Sequence, residues 1–226
     1  MCGRYNVTPN SQAFLELFEI MEGLETLPDK PRYNIAPSGD PVPAVRQGPT
    51  GRQLCALRWP LIPHWAKEGK VKFSTANAKG ETLEDKPAFR NAWQKGRRCL
   101  IPTNGYYEWQ RAGDRKQPYH IQMPHGELFA FGGLWDRCRT EAGSLIESCT
   151  IITTPPTPAL ADLHSRMPLI IPRRAYDQWL TGDAAATCIK PYDETALEFY
   201  PVSTFVNNPR NDDSRCIERV RRQKTL

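Results

Sequence analysis

The run RRCLIPTNGYYEW, Arg97 to Trp109, sets two short apolar segments on either side of Asn104-Gly105. Arg97 to Pro102 reads as a strand, Asn104-Gly105 as a tight-turn dipeptide, and Tyr106 to Gln110 as extended chain again. Side chains alternate across a strand, so Tyr106 and Glu108 share one face while Tyr107 and Trp109 share the other. Outward from this centre, further strands are predicted at Gln53 to Trp59, Tyr119 to Met123, Leu128 to Trp135, Ser148 to Thr153 and Met167 to Ile171. Thr8-Pro9 reads as a cap and first turn for an amphipathic core helix bearing Phe14, Leu17, Phe18 and Met21. Short helices are expected at Thr157 to Leu163 and Arg174 to Leu180. Many short strands with few helices and no βαβ rhythm predict an α+β fold. Its expected form is a single domain over residues 1–226, with a curved, mostly antiparallel, barrel-like sheet flanked by short helices.

Composition narrows the function. Apolar residues at 39% and charged residues at 24% are an ordinary globular balance, which argues against wholesale disorder. The chain carries no apolar run long enough to span a bilayer and no secretory leader pattern, so a cytoplasmic or nuclear address without membrane is expected. The 21 prolines among 226 residues disfavour an all-helical bundle. Seven cysteines at irregular spacing suggest neither a disulfide framework nor a zinc site, and most are expected to be reduced and buried. His120 and His125 flank a predicted turn and lack a third ligand, so no metal is expected there, and both read as solvated surface.

The formal charge of +5 is concentrated. Between His64 and Arg98 nine Lys or Arg face four acids, so this segment carries the whole excess. It also holds Trp65, Phe73, Phe89 and Trp93, a mixture suited to neutralising phosphates and stacking bases of single-stranded nucleic acid. A solvated basic face is the plainer alternative. From about residue 209 the chain turns basic again and is expected to be a flexible tail.

Cys2 is the most informative residue. Removal of Met1 would leave an α-amine and a thiol on adjacent carbons, a 1,2-aminothiol. The amine condenses with an aldehyde to a Schiff base, and the thiol closes on the imine carbon to form a thiazolidine. Ordinary pKa values of about 7.7–8.0 for the amine and 8.5 for the thiol leave reactive neutral amine at physiological pH. Ring closure gains from tethering.

MCGRY at the start, RYNIAPS at Arg32 to Ser38, STANAKGET at Ser74 to Thr82, RRCLIPTNGYYEW, and ADLHSRMPLII at Ala161 to Ile171 together resemble, in order and spacing, the SOS-response-associated peptidase (SRAP) family. The resemblance spans essentially the whole chain. It implies a monomeric protein that caps abasic sites in single-stranded DNA through a covalent link to Cys2, with no cofactor or metal. A side activity of strand cleavage by β-elimination and an autoproteolytic release of the N-terminal segment are also implied. Carried over by motif, Asn77, Glu108 and His164 join Cys2 as the catalytic set. Arg4, Lys79, Arg166 and Thr153 are implied phosphate contacts, with Trp65 and Trp109 beside the bases. The family's Asn-Ala-Arg is here Asn77-Ala78-Lys79, which keeps the charge and loses the bidentate fork. Its tryptophan pair is here His64-Trp65.

These roles agree with the chemistry. Ring opening of the sugar, dehydration and imine formation each move a proton, which a desolvated Glu108 or a titrating His164 can carry. Taken alone, Glu108 also fits an exposed cross-strand ion pair, and His164 a cap or packing residue. Two other functions fit the residues: an N-terminal-nucleophile thiol peptidase built from Cys2, His164 and Glu108, and a non-catalytic nucleic-acid module using the His64–Arg98 stripe.

Overall fold

The computed structural model describes residues 2–113, 115–192 and 197–220, without the side chains of 112 and 115. In chain order the strands are β1 (Tyr5–Val7), β2 (Ile20–Glu22), β3 (Arg32–Ile35), β4 (Pro41–Gln47), β5 (Arg52–Arg58), β6 (Asn77–Lys79), β7 (Arg98–Thr103), β8 (Gly105–Ala112), β9 (Arg115–Gln122), β10 (Phe129–Arg139), β11 (Leu145–Thr154), β12 (Met167–Pro168) and β13 (Glu198–Pro201). The helices are α1 (Ser11–Phe18), α2 (Pro87–Gln94), α3 (Pro158–Ala161) and α4 (Tyr176–Leu180).

Strands β11, β10, β7, β4 and β5 follow one another by antiparallel pairing, and a parallel contact between Arg58 and Ser148 joins β5 back to β11. The result is a closed five-stranded barrel of mixed sense. A second, antiparallel sheet runs β13-β9-β8-β1-β3. The α+β expectation with a barrel-like sheet and short helices therefore matches the structure. Among the described residues, no helix is long and apolar enough to cross a membrane.

The Asn104-Gly105 reading needs correction. The chain does not fold back there: β7 belongs to the barrel and β8 to the second sheet, so the dipeptide carries the chain from one to the other. Gly105 is required for close approach rather than for a hairpin. A Cβ on it would lie 2.3 Å from His120 Nε2 and 2.8 Å from the Ile121 carbonyl. The corner is stitched to β1, since the Thr103 hydroxyl donates to the Asn6 carbonyl at 2.9 Å and the Thr8 N–H donates to Asn104 Oδ1 at 2.8 Å.

This crossing places the N-terminus. β1 lies beside β8 with Tyr5 opposite Tyr106 and Asn6 opposite Gly105, and the Tyr107 N–H to Arg4 carbonyl bond at 3.0 Å extends the pairing toward Cys2. Tyr5 and Tyr106 both meet Phe131 edge-on, at 5.9 and 5.8 Å between ring centroids, and Tyr5 meets Trp59 at 5.6 Å. Such ring pairs contribute about 0.5–1.5 kcal/mol each beyond burial, which anchors β1 and β8 to the barrel.

Three local expectations change. Helix α1 is capped by Asn10, whose side chain accepts from the Ala13 N–H at 3.0 Å, and it stops at Glu19 in the left-handed region (φ 52°). Met21 therefore falls on β2 and is exposed rather than in the core. The tail from about 209 is packed through residue 220: Asp212 accepts from the Arg32 side chain and the Tyr33 and Asn34 N–H groups, and Cys216 is fully buried. Residues 221–226 lie outside the described residues. All seven cysteines are free and buried, as expected.

Candidate active site

Pairing of β1 with β8 brings Cys2 and Glu108 into one neighbourhood, and the barrel supplies the other side. β6 runs parallel to β11, and from it Asn77 Nδ2 donates to the Cys2 carbonyl at 3.0 Å. That bond fixes the backbone of Cys2. The Cys2 side chain is fully buried. Burial pushes its thiol well above the ordinary range, with the negative charge of Glu108 adding to the rise, so the sulfur rests protonated.

Glu108 is 4% exposed. Burial raises its carboxyl to about 7, placing it near half-protonation at neutral pH, the condition a general acid or base requires. The exposed-ion-pair alternative is excluded by this burial. Alternation along β8 holds as predicted: Tyr106 lies on the Glu108 side in the main core, and Tyr107 on the opposite side with Val202, Val206 and Cys216. The Tyr106 hydroxyl is buried and has no hydrogen-bond partner among the described residues.

Glu108 opens onto a hollow of about 460 Å³ that also takes in Arg4, Trp109, His164 and Asn207. His164 follows α3, and its Nδ1 accepts the Arg166 N–H at 3.0 Å. The proton of the neutral ring then sits on Nε2. Burial lowers the imidazole pKa, favouring this neutral form at pH 7. The structure thus gathers Cys2, Asn77, Glu108 and His164 about one end of the second sheet.

The implied DNA contacts are placed unevenly. Arg4 reaches the hollow but spends its guanidinium on Asn34 Oδ1 at 2.8 Å and the Val206 carbonyl at 2.9 Å. Arg166 is forked onto Glu81 at 2.8 and 2.9 Å, which holds the Glu81 carboxyl below its usual range. Thr153 is fully buried behind this pair, its hydroxyl accepting from Arg166 and donating to the Ala78 carbonyl. It therefore braces Arg166 instead of facing a strand, a correction to its reading as a direct contact. Trp109 donates to Asn207 Oδ1 at 2.7 Å. Trp65 and Lys79 border a second, largely apolar hollow of about 600 Å³ with Phe73, Asn77, Lys86 and Phe89, and Trp65 and Phe73 lie 6.4 Å apart.

The basic stripe divides in two. Lys67, Lys70, Lys72, Lys79, Lys86, Arg90 and Lys95 are exposed, whereas Arg97 pairs with buried Asp136 and Arg98 donates to the Trp179 and Gly182 carbonyls. His120 corrects the solvated-surface reading: it is 1% exposed, with Nε2 2.8 Å from Asn6 Oδ1 and Nδ1 3.1 Å from the Tyr200 hydroxyl. Among the described residues, no cluster of three or more His, Cys, Asp or Glu is arranged to hold a metal. Sequence reasoning missed Arg111 and Lys116, which face each other across the β8-β9 ladder at the hollow's rim. Alternation from Trp109 signals Arg111. Asn207 arrives from distant chain and carries no local signal.

Comparison with known proteins completes the picture. A family model described as SOS response associated peptidase (SRAP) matches residues 1–209. Abasic site processing protein YoqW of Bacillus subtilis (strain 168) is 38% identical over 224 residues, covering 96% of this chain and 99% of the relative. Abasic site processing protein HMCES of Mus musculus is 32% identical over 234 residues, covering 84% of this chain and 66% of the relative. A crystal structure of a Bordetella bronchiseptica protein matches with a TM-score of 0.79 at 29% identity, over 89% of this chain and all of that one. One from Bacteroides thetaiotaomicron matches the fold with a TM-score of 0.81 at 23% identity, over 97% of this chain and all of that one.

Proposed function

The chain belongs to the SOS response associated peptidase (SRAP) family, and we propose that it caps abasic sites in single-stranded DNA as a thiazolidine crosslink to Cys2. The observation that carries this reading is the convergence on Cys2: Asn77 holds its carbonyl, and Glu108, desolvated to a pKa of about 7, lies close enough to raise the thiol.

Release of Met1 frees the amine, which attacks the ring-opened C1′ aldehyde. The resulting carbinolamine loses its hydroxyl as water after that oxygen accepts a proton from protonated Glu108, leaving a protonated imine and the Glu108 carboxylate. As the sugar ring opens, the C1′ hydroxyl proton passes to the ring oxygen, which the neutral His164 imidazole at the hollow steadies through a hydrogen bond without giving up its own proton. The Cys2 sulfur then bonds to the imine carbon, the thiol proton passes to the Glu108 carboxylate, and the imine π electrons return to nitrogen. The net loss is one water. Closure of the sulfur onto the imine intercepts the β-elimination that would cut the strand, so lyase activity is the minor exit. Met1 release by the same acid–base groups would be the autoproteolytic step.

An N-terminal-nucleophile peptidase works through an accessible thiolate, whereas the crosslink needs the Cys2 thiol deprotonated only once, by Glu108, after the imine has formed. The test is intact mass and denaturing electrophoresis after incubation with an abasic single-stranded oligonucleotide. The expected result is loss of Met1 and one adduct per protein, of mass equal to protein plus oligonucleotide minus one water, absent in Cys2→Ala. Repeated turnover of a peptide substrate with no adduct would replace this reading with the peptidase one.

A further inference from the structure

Beside Trp65 lies a smaller hollow of about 330 Å³, lined by His64, Trp65, Pro87, Arg90, Asn91 and Gln94. Trp65 and Pro87 also line the apolar hollow that contains Asn77. The two hollows thus share a wall, along which a strand passing Asn77 and Trp65 would reach the recess. The partition is fixed. Trp65 Nε1 donates to the Pro87 carbonyl at 3.2 Å, and the His64 N–H donates to buried Asp136 at 3.0 Å, with His64 Nδ1 3.3 Å from the same oxygen.

The recess presents mainly polar surface, its neighbour mainly apolar surface. Arg90 and Gln94 stand one turn apart on α2 with Asn91 between them. The Asn91 Nδ2 is buried and has no hydrogen-bond partner among the described residues. Once its side chain turns into the recess, this unpaired amide, beside a half-exposed tryptophan and an arginine, can meet the edge of a stacked base. We propose that this recess is a base-reading subsite, in which a nucleobase one step beyond the lesion's neighbour stacks on Trp65 and offers its edge to Asn91, Gln94 and Arg90. Donors dominate the set, so a purine edge with paired acceptors, guanine N7 and O6, fits best. Adenine, which pairs an acceptor with a donor, follows, and pyrimidines bind worst. The protein would then cap lesions unequally according to local sequence.

The inference rests on the single-stranded DNA reading, and the test separates the two. Single-stranded oligonucleotides carrying a tetrahydrofuran abasic analogue, which has no aldehyde, are varied through all four bases at the two positions on each side of the lesion. Binding is read by fluorescence anisotropy. At one position guanine is expected to bind about fivefold or more tighter than a pyrimidine, and Asn91→Leu with Gln94→Leu is expected to reduce that ratio to under about twofold. Asn91→Asp replaces the donor by an acceptor and is expected to move the preference toward cytosine, whose N4 donates. This swap keeps the test decisive should the leucine variant fold poorly. Binding within twofold for all bases at every position, or a guanine preference unchanged in Asn91→Asp, overturns the subsite. If the natural abasic oligonucleotide still crosslinks in that case, the proposed function stands. Absence of both binding and crosslinking overturns both.

Discussion

Glu108 and His120 occupy adjacent strands of one hairpin, a single register step apart: Tyr107 faces His120 and Glu108 faces Tyr119. Both are almost completely buried, and burial moves each pKa toward its neutral form, the carboxyl up to about 7 and the imidazole down to about 3. Their roles diverge because the two faces of the hairpin open on different things. His120 is held between Asn6 and the Tyr200 hydroxyl, with the Tyr107 ring 5.1 Å away. Glu108 lines the hollow that holds Arg4 and His164. Desolvation sets the size of a shift, and access decides whether a reaction can use it.

The two residues make opposite predictions for stability against pH. His120 binds a proton more readily unfolded than folded between pH 3 and 6.5, so its contribution is complete above 6.5 and is lost as pH falls toward 3. The loss is on the order of 5 kcal/mol. His120→Gln should remove this acid lability, lower stability at pH 7 by about 1–3 kcal/mol through broken buried hydrogen bonds, and leave crosslinking per folded molecule within about threefold. Urea unfolding from pH 3.5 to 8 checks it. A hundredfold loss of crosslinking in the folded variant would end the contrast.

Glu108 has the reverse sign. Its folded pKa exceeds the unfolded one, so the native state is favoured below about 4.5 and loses roughly 3 kcal/mol as pH rises through 7. Glu108→Gln should flatten that decline and raise stability at pH 8, while slowing crosslinking by about a hundredfold or more as the proton carrier is lost. The surviving rate should no longer bend near pH 7. A variant that is slow yet keeps the bend would assign the titration to another group.

What the sequence made legible follows from range. Glu108 and Tyr106 were assignable to one face because alternation is local, and Gln53–Trp59 was assignable to a strand from its own residues. The Asn104-Gly105 corner was misread because the same dipeptide serves a hairpin or a crossing between sheets, and only the position of His120 against Gly105 distinguishes them. Arg166 and Thr153 were legible as neighbours of the site through family motifs. The fork of Arg166 onto Glu81, braced by Thr153, was not, because it depends on β6 and β11 pairing at long range. Asp212, which ties the C-terminal segment to β3, lies in a stretch whose composition suggested only a tail.

Tyr106 and Tyr107 differ in the same way on a smaller scale. The Tyr106 hydroxyl is buried on the Glu108 face without a partner among the described residues, whereas the Tyr107 hydroxyl on the His120 face donates to the Tyr33 carbonyl at 2.6 Å. Tyr106→Phe removes only an unmatched polar atom and is expected to raise stability by about 1 kcal/mol, or roughly 2–4 °C in melting temperature. Tyr107→Phe should lower it by a similar amount. Equal losses in both variants would show that the Tyr106 hydroxyl is satisfied in solution.

The smallest effect belongs to Lys79, at the edge of the apolar hollow on the reaction side. Lysine meets a phosphate as a point charge, while arginine meets it with a planar fork of parallel donors. Lys79→Arg changes neither net charge nor the Glu108 environment. Affinity for an abasic single strand should therefore tighten about two- to threefold at fixed salt, with the slope of log affinity against log salt unchanged, because the number of neutralised phosphates is the same. Lys79→Ala should instead weaken binding and reduce that slope by about 0.7. If arginine alters the slope or the pH dependence of crosslinking, Lys79 acts on the reacting groups and the boundary between strand holding and proton transfer lies elsewhere.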